Sequence, residues 1–211
     1  MYRTIIVAFL CLIFSYGKAQ QSFNKEAFYA YANAKQLFLV KQFLATDSVG
    51  ILMDSFLFGN EQKMDTVEIY IAKNSFKRED YKHMPTSTSN NKCVDLGFEI
   101  KYDKKEKEFY TSGDHGQYVS VINFKEKTSE NIWISHGFYP ACDYAIWFGD
   151  TAVALLVVDS DYEEEPKFRF RLEYIDLKKK VKRIYNCNKN IIKSGSSFWS
   201  FYFVKKGMNK K

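Results

Sequence analysis

Two adjacent segments in residues 151–174 have patterns that fit neighbouring β-strands, and they constrain the fold more than any other part of the chain. Residues 151–158 are almost continuously apolar, which is typical of a strand at the centre of a sheet. In residues 168–174, Phe and other apolar residues alternate with Arg169, Arg171 and Glu173, as in a half-buried strand. The hairpin joined by the acidic loop 159–166 is therefore predicted to lie at the centre of an antiparallel sheet.

The rest of the chain is predicted to be mostly β, after one helix. Residues 22–46 place Ala27, Ala30, Ala34, Leu37, Phe38 and Leu44 at three- and four-residue steps, which predicts a helix with one apolar face. Strand-like runs follow, separated by polar or charged turns. Outside the central hairpin, these strands are predicted at residues 51–58, 66–72, 94–102, 109–111, 118–124, 132–135, 144–148, 181–185 and 198–204.

This order of elements predicts the α+β class, with an N-terminal helix packed on a twisted, meander-like antiparallel β-sheet. Residues 20–204 are expected to form a single domain, and residues 205–211 a basic flexible tail. The alternatives are a mainly-β sandwich or a partial propeller-like sheet. A closed propeller is excluded because the β-region supplies at most three blades, and closure needs about four.

The first nineteen residues have the pattern of a secretory signal peptide. Arg3 precedes an apolar run over residues 5–14, and Gly17 and Ala19 are the small residues expected before a cleavage site. The run is shorter than the about 20 residues that a membrane-spanning helix needs. We therefore expect a secreted or periplasmic bacterial protein that is cut near Ala19 and has no membrane span in its mature chain.

The charge and the aromatic content of the chain limit the classes of partner that it is expected to bind. The net charge is +6, but Arg3 and Lys18 lie in the predicted signal peptide and four lysines lie in the last seven residues, so the body is close to neutral. A nucleic-acid-binding domain should show a basic stripe, so nucleic acid is not an expected partner. Aromatic residues make up 18% of the chain, which keeps a glycan-contacting module open as an alternative.

Candidate catalytic residues lie near the turns. His136 and Cys142 have the types of a base and a thiol nucleophile, and Asp143 or Asp114 can orient an imidazole. His115 lies beside Asp114 in a glycine-flanked turn. No standard hydrolase motif accompanies these residues, such as G-x-S-x-G or H-E-x-x-H.

The acidic loop is a candidate metal site through Asp159, Asp161 and Glu163. A calcium loop of the EF-hand type needs glycine at its sixth position and glutamate at its twelfth. Counted from Asp159, these positions hold Glu164 and Phe170, so no metal and no cofactor is predicted.

The cysteines of the mature chain are Cys93, Cys142 and Cys187, an odd number that leaves at least one unpaired. A flat meander over residues 143–186 would place Cys142 and Cys187 three strand spacings apart, about 14 Å. A disulfide spans Cα atoms at most about 7 Å apart, so these two cysteines are not expected to bond to each other.

The sequence as a whole favours a non-catalytic binding or interaction protein of unknown partner. One alternative is a secreted hydrolase that uses His115 or His136 with Asp114, Cys142 or Asp143. Another is the glycan-contacting module.

Overall fold

The computed structural model describes residues 25–46, 51–64, 69–71, 76–97, 99–103, 108–112, 116–136, 140–161, 167–191 and 198. The predicted signal peptide and basic tail lie outside these ranges, as does the predicted strand 198–204 apart from Phe198. The α-helices are α1 (Lys25–Tyr31) and α2 (Ala34–Thr46), and two short 3-10 helices cover Met53–Ser55 and Arg78–Tyr81. The strands are β1 (Phe56–Lys63), β2 (Ile69–Ile71), β3 (Lys92–Asp95), β4 (Glu99–Asp103), β5 (Glu108–Ser112), β6 (Gln117–Asn123), β7 (Thr128–Ser135), β8 (Ala141–Phe148), β9 (Ala152–Asp161), β10 (Lys167–Asp176) and β11 (Val181–Ile191).

The described chain is mostly β-strand in antiparallel sheets, with a small helical part, which confirms the broad class. A five-stranded sheet has the order β1-β11-β10-β9-β8. Its last four strands are consecutive in the chain, so the predicted meander is confirmed. The long-range pairing of β1 with β11 closes the other side of this sheet.

Six further strands form a four-stranded sheet, β2-β7-β6-β3, and the hairpin β4-β5. Two contacts join the four-stranded sheet to the five-stranded sheet: Gln117 at the start of β6 bonds to the backbone of Cys142, and Lys180, in the turn before β11, forms an ion pair with Glu130 of β7.

The helical region is interrupted where the sequence predicted one continuous helix. Ala32 forms a β-bridge with Phe148, and the Asn33 N–H donates to the Trp147 carbonyl at 2.7 Å. These bonds to β8 replace helical hydrogen bonds, so α1 ends at Tyr31. The Asn33 side chain then accepts from the Gln36 N–H at 3.3 Å, as a capping residue does at the start of α2.

The interruption also changes which helical residues are buried. Leu37 and Leu44 are buried as predicted, but Ala30, Ala34 and Phe38 are exposed, so their predicted place on the core face was wrong. A single helical period cannot be carried across a break in the helix. The buried side of α2 is completed by Gln36, Val40 and Phe43.

The α2 helix packs on one face of the five-stranded sheet. The Phe43 ring makes edge contacts with Phe170 of β10 and with Phe198, at centroid distances of 5.8 and 5.5 Å. Phe198 in turn stacks on Tyr144 of β8 at 3.8 Å. Phe170, Leu172 and Tyr174 of β10 therefore point towards this helix side, and Arg169, Arg171 and Glu173 point towards the other side.

Two buried glutamines form hydrogen bonds with the backbone groups at the edge of β8. The Gln117 side chain accepts from the Cys142 N–H at 2.7 Å and donates to the Cys142 and Leu96 carbonyls at 2.8 and 2.6 Å. The Gln36 side chain accepts from the Trp147 N–H and donates to the Thr86 carbonyl, each at 2.8 Å. An edge strand presents unpaired backbone groups, which are costly when buried. The glutamines therefore end the sheet at β8 and join it to the neighbouring segments.

We expect Gln117→Ala to lower the free energy of unfolding by about 1–3 kcal/mol, because the backbone groups of Cys142 stay buried and lose their partners. Chemical denaturation measures this change. Gln62→Ala is the matched control, since Gln62 is an exposed glutamine in β1, and it should change stability by less than about 0.5 kcal/mol. Equal effects of the two substitutions would contradict the role given to Gln117.

Candidate functional site

The strand β11 contains a bulge beside β10. Arg169 pairs with Asn190 and Arg171 pairs with Asn186, so the three residues 187–189 face the single residue Phe170. The Lys189 N–H donates to the Cys187 Sγ at 3.4 Å, which gives one freed backbone group of the bulge a partner. Bulges redirect side chains and often lie next to functional sites. This bulge interrupts the pairing of β10 with β11 beside Phe56, where β1 begins, and the pairing resumes at Arg169.

A polar cleft of about 360 Å³ lies at the bulge. This size is at the lower end of the range for small-molecule sites. The polar cleft is lined by Asp159 of β9, Arg169, Phe170 and Arg171 of β10, and Asn186 and Cys187 of β11.

Ion pairs hold the Arg171 guanidinium in place within the polar cleft. Its Nη1 donates to Asp159 Oδ2 and its Nε donates to Glu173 Oε1, both at 2.7 Å. Glu173 is only 1% exposed, and its other oxygen lies 3.1 Å from Lys182 Nζ. A buried carboxylate needs such partners, because an unpaired charge away from water is strongly destabilising. The buried Glu173 behind the cleft needs a cationic partner, and this need fixes the position of Arg171.

The wall of the polar cleft across from Arg171 contains Asn186, and the position of this side chain depends on Gly59 of β1. A Cβ at this position would lie 2.6 Å from Asn186 Nδ2 and 3.2 Å from the Ile184 carbonyl oxygen. Glycine thus leaves room for the Asn186 side chain over β1. Gly59 also lies at a register shift between Phe58 and Asn60 in the pairing of β1 with β11.

Cys187 adds a thiol to the floor of the polar cleft. Its side chain is 6% exposed, and burial raises the pKa of the thiol. It is therefore protonated at neutral pH and is a weak nucleophile.

The predicted pair His136 and Cys142 is not brought together as an accessible catalytic site. The His136 side chain is exposed, whereas Cys142 is completely buried. Burial raises the pKa of the Cys142 thiol far above its usual value, and the nearby Asp143 and Glu173 raise it further. This thiol has neither the access nor the thiolate character of a nucleophile.

Asp143 is buried and accepts a hydrogen bond from the Phe198 N–H at 3.3 Å. Burial raises the pKa of its carboxyl to about 7. Among the described residues, the hydrogen-bond partner of the Asp143 carboxyl is therefore the backbone N–H of Phe198 and not an imidazole.

The remaining predicted site residues are mostly outside the described chain. Asp114, His115 and Glu163 lie outside it, and Asp161 is described only as the last residue of β9. Asp159 is engaged by Arg171 in the polar cleft. In the part of the chain that the structure describes, no three His, Cys, Asp or Glu side chains are grouped to hold a metal ion.

The three cysteines at 93, 142 and 187 are buried thiols. The sheet register runs from Cys142 to Val157, from Val157 to Arg171 and from Arg171 to Asn186, the neighbour of Cys187. The three strand spacings expected between Cys142 and Cys187 are therefore present.

The polar cleft was not predicted from the sequence. The alternation in residues 168–174 predicts only a polar strand face for Arg169 and Arg171, and the acidic loop predicts Asp159 as a candidate metal ligand, not as the partner of an arginine. The order of charges in the sequence could have predicted the ion pair. One strand of the hairpin ends near Asp159 and the next begins near Arg169 and Arg171, so opposite charges face each other across the strands.

Comparisons with protein-family models, with curated proteins and with solved structures find no match to this chain. None of the described helices has the length and apolar character needed to cross a membrane.

Asp143 predicts a pH dependence of stability. The folded protein keeps this carboxyl protonated up to about pH 7, whereas the unfolded chain releases the proton near pH 3.8. Stability is therefore full below pH 3.8 and falls as the pH rises to about 7. Asp143→Asn cannot ionise, so we expect its stability relative to wild type to rise over this interval by on the order of 3 kcal/mol.

Denaturant unfolding at pH 4, 6 and 8 measures this difference. The exposed Asp80 provides the control variant Asp80→Asn, which should not reproduce the trend. A constant difference between Asp143→Asn and wild type across the three pH values would show that Asp143 ionises normally in the folded protein.

Proposed function

We propose that this chain is a non-catalytic binding protein and that the polar cleft is its ligand site. The observation that carries the proposal is the fixed Arg171, which two carboxylates hold at 2.7 Å beside a cleft of small-molecule size. A ligand that meets a donor already held in place loses less conformational entropy on binding than one that must order a mobile side chain.

The groups in the polar cleft support binding more than turnover. Cys187 has the nucleophile type, but burial raises the pKa of its thiol. Among the described residues that line the cleft, no histidine stands beside this thiol to act as a base. Hydrogen-bond donors and acceptors without an activated nucleophile can orient a ligand but supply no chemical step.

The lining also favours a polar small molecule over a glycan stacked on an aromatic ring. Among the described residues that line the cleft, Phe170 is the aromatic one, and it is 1% exposed because its ring packs on Phe43. Its face is therefore not offered to a sugar.

The α2 helix, packed on the other face of the five-stranded sheet, is the rigid support of the cleft. Phe43 contacts Phe170 directly behind the bulge. Sites supported by packed elements keep their geometry better than sites on loops.

We also propose that binding takes place outside the cytoplasm, on the basis of the signal-peptide pattern in residues 1–19. N-terminal sequencing of the exported protein should then start at Gln20, and detection of Met1 would contradict export by cleavage.

A fragment screen followed by two-dimensional NMR tests the binding site. A library of small polar acids, amides and polyols is added to ¹⁵N-labelled protein at neutral pH. We expect the bound fragments to shift the amide signals of Asp159, Arg171 and Cys187. Asn186→Trp should abolish these shifts by filling the cleft, and Asn188→Trp should preserve them, because Asn188 is exposed in the same bulge but does not line the cleft.

Two outcomes would overturn the proposal. One is the absence of any fragment whose shifts map to the polar cleft and disappear in Asn186→Trp. The other is chemical conversion of a bound fragment, detected by mass spectrometry. If this conversion required a residue of the cleft, the protein would be an enzyme.

A further inference from the structure

We propose that the outer face of α2 docks on the surface of a phospholipid bilayer that carries anionic headgroups. This outer face consists of five exposed residues, Ala34, Lys35, Phe38, Lys41 and Ala45. The docking does not involve the polar cleft, so it does not rest on the proposed function.

The packing of α2 on the sheet leaves one side of the helix in solvent. Gln36, Val40 and Phe43 on the inner side are buried, whereas Phe38 on the outer side is 58% exposed. Tyr31, which ends α1 just before α2 begins, is 73% exposed. Two large aromatic side chains of the helical region therefore remain in water, although their burial would be favourable.

Two lysines flank Phe38 on the outer face. Lys35 precedes it by three residues and Lys41 follows it by three, so the helical period of about 3.6 residues places them about 60° to its two sides. The Lys41 ammonium lies 3.9 Å from the centroid of the Tyr29 ring, which leaves its charge in place. No carboxylate of the described residues pairs with either lysine, and α2 contains no acidic residue. The outer face thus carries two positive charges and no negative charge of its own.

This combination of side chains matches the chemistry of a bilayer surface. Helices that lie in the membrane interface place aromatic side chains at the boundary of the acyl chains and lysines among the headgroups. A lysine can lay its apolar stem along the surface while its ammonium stays in water. Anionic headgroups supply the negative charge that α2 lacks. The small Ala34 and Ala45 let the helix backbone come close to this surface.

A second copy of this chain is the less suitable occupant of the outer face. Two copies that met through it would bring Lys35 and Lys41 of both chains together, without a carboxylate from α2 to pair with them. A helix of 13 residues is about 20 Å long, so one side of it covers only about 200 Å². Stable protein interfaces bury about 800 Å² on each partner. A bilayer needs no such area, because a few apolar side chains and electrostatic attraction give reversible binding.

The test is co-sedimentation of residues 20–211 with phospholipid vesicles at neutral pH and low salt. Residues 1–19 are omitted because an apolar signal peptide would bind bilayers itself. One set of vesicles contains phosphatidylcholine alone, and the other contains phosphatidylcholine and phosphatidylglycerol in equal parts. We expect the bound fraction to be about fivefold higher on the anionic vesicles, and to fall when added salt screens the lysines.

Variants of the aromatic residue locate the contact on α2. Phe38→Ser should lower the bound fraction about fivefold or more, because it removes the apolar group that enters the interface. Phe38→Trp should raise the bound fraction, since tryptophan is enriched at membrane interfaces. Tyr118→Ser is the matched control and should bind as wild type does, because Tyr118 is an aromatic residue of β6 that is 53% exposed.

A pair of double variants tests the charge. Lys35→Gln with Lys41→Gln should remove the preference for anionic vesicles. Lys125→Gln with Lys178→Gln removes the same charge from two exposed turns and should keep the preference. All the substituted side chains are exposed, so each variant should unfold at the same denaturant concentration as wild type.

Several results would overturn this assignment. These are absence of binding to anionic vesicles, equal binding to the two sets of vesicles, and binding that is unchanged in Phe38→Ser. Binding that is lost only on deletion of residues 205–211 would assign the attraction to the four lysines of that segment instead. A dimer that light scattering detects in wild type but not in Phe38→Ser would assign the outer face to a second copy of the chain.

Discussion

The sheet and the polar cleft both depend on one buried carboxylate, Glu173, in the middle of β10. It lies on the face of the sheet away from α2, between Leu155 and Ile184 on the neighbouring strands. Burial of this charge is tolerated because Arg171 and Lys182 flank it. The same requirement fixes Arg171 at the border between the core and the cleft. A stability constraint therefore places a cation where a ligand can reach it, and the bulge of β11 opens the space around it.

A second constraint is the termination of the five-stranded sheet. An exposed edge strand invites pairing with other chains, and β8 avoids this with side-chain amides. Gln117 and Gln36 bond to its backbone at opposite ends, at Cys142 and at Trp147. The same two residues bind the segment after β3 and the loop at Thr86, so the edge of one sheet becomes the joint between layers. On the other side of the sheet, the side chains of β1 after Phe58 are exposed.

Local sequence patterns predicted the elements whose partners are near in sequence. The alternation in residues 168–174 and the apolar run 152–158 identified β9 and β10, and the short turns around them identified the meander. Prediction failed where distant contacts decide the structure. The break after Tyr31 depends on bonds to β8, more than a hundred residues away, and β1 ends in a polar run over residues 59–63 that shows no strand alternation. The cleft was missed because a bulge in the polar run 186–190 leaves no periodic signal.

The central claim is that Glu173 and Arg171 act as one unit, and a double-mutant cycle on stability tests it most directly. Arg171→Leu alone should cost about 3 kcal/mol, because it leaves Glu173 buried with a single cation. In the double variant Arg171→Leu, Glu173→Leu, that cost should be largely absent, which gives a coupling free energy of about 2 kcal/mol, within the usual range for contacting residues. Additive effects within about 0.5 kcal/mol would mean that the two residues are energetically independent, and would contradict the account of how the cleft is held.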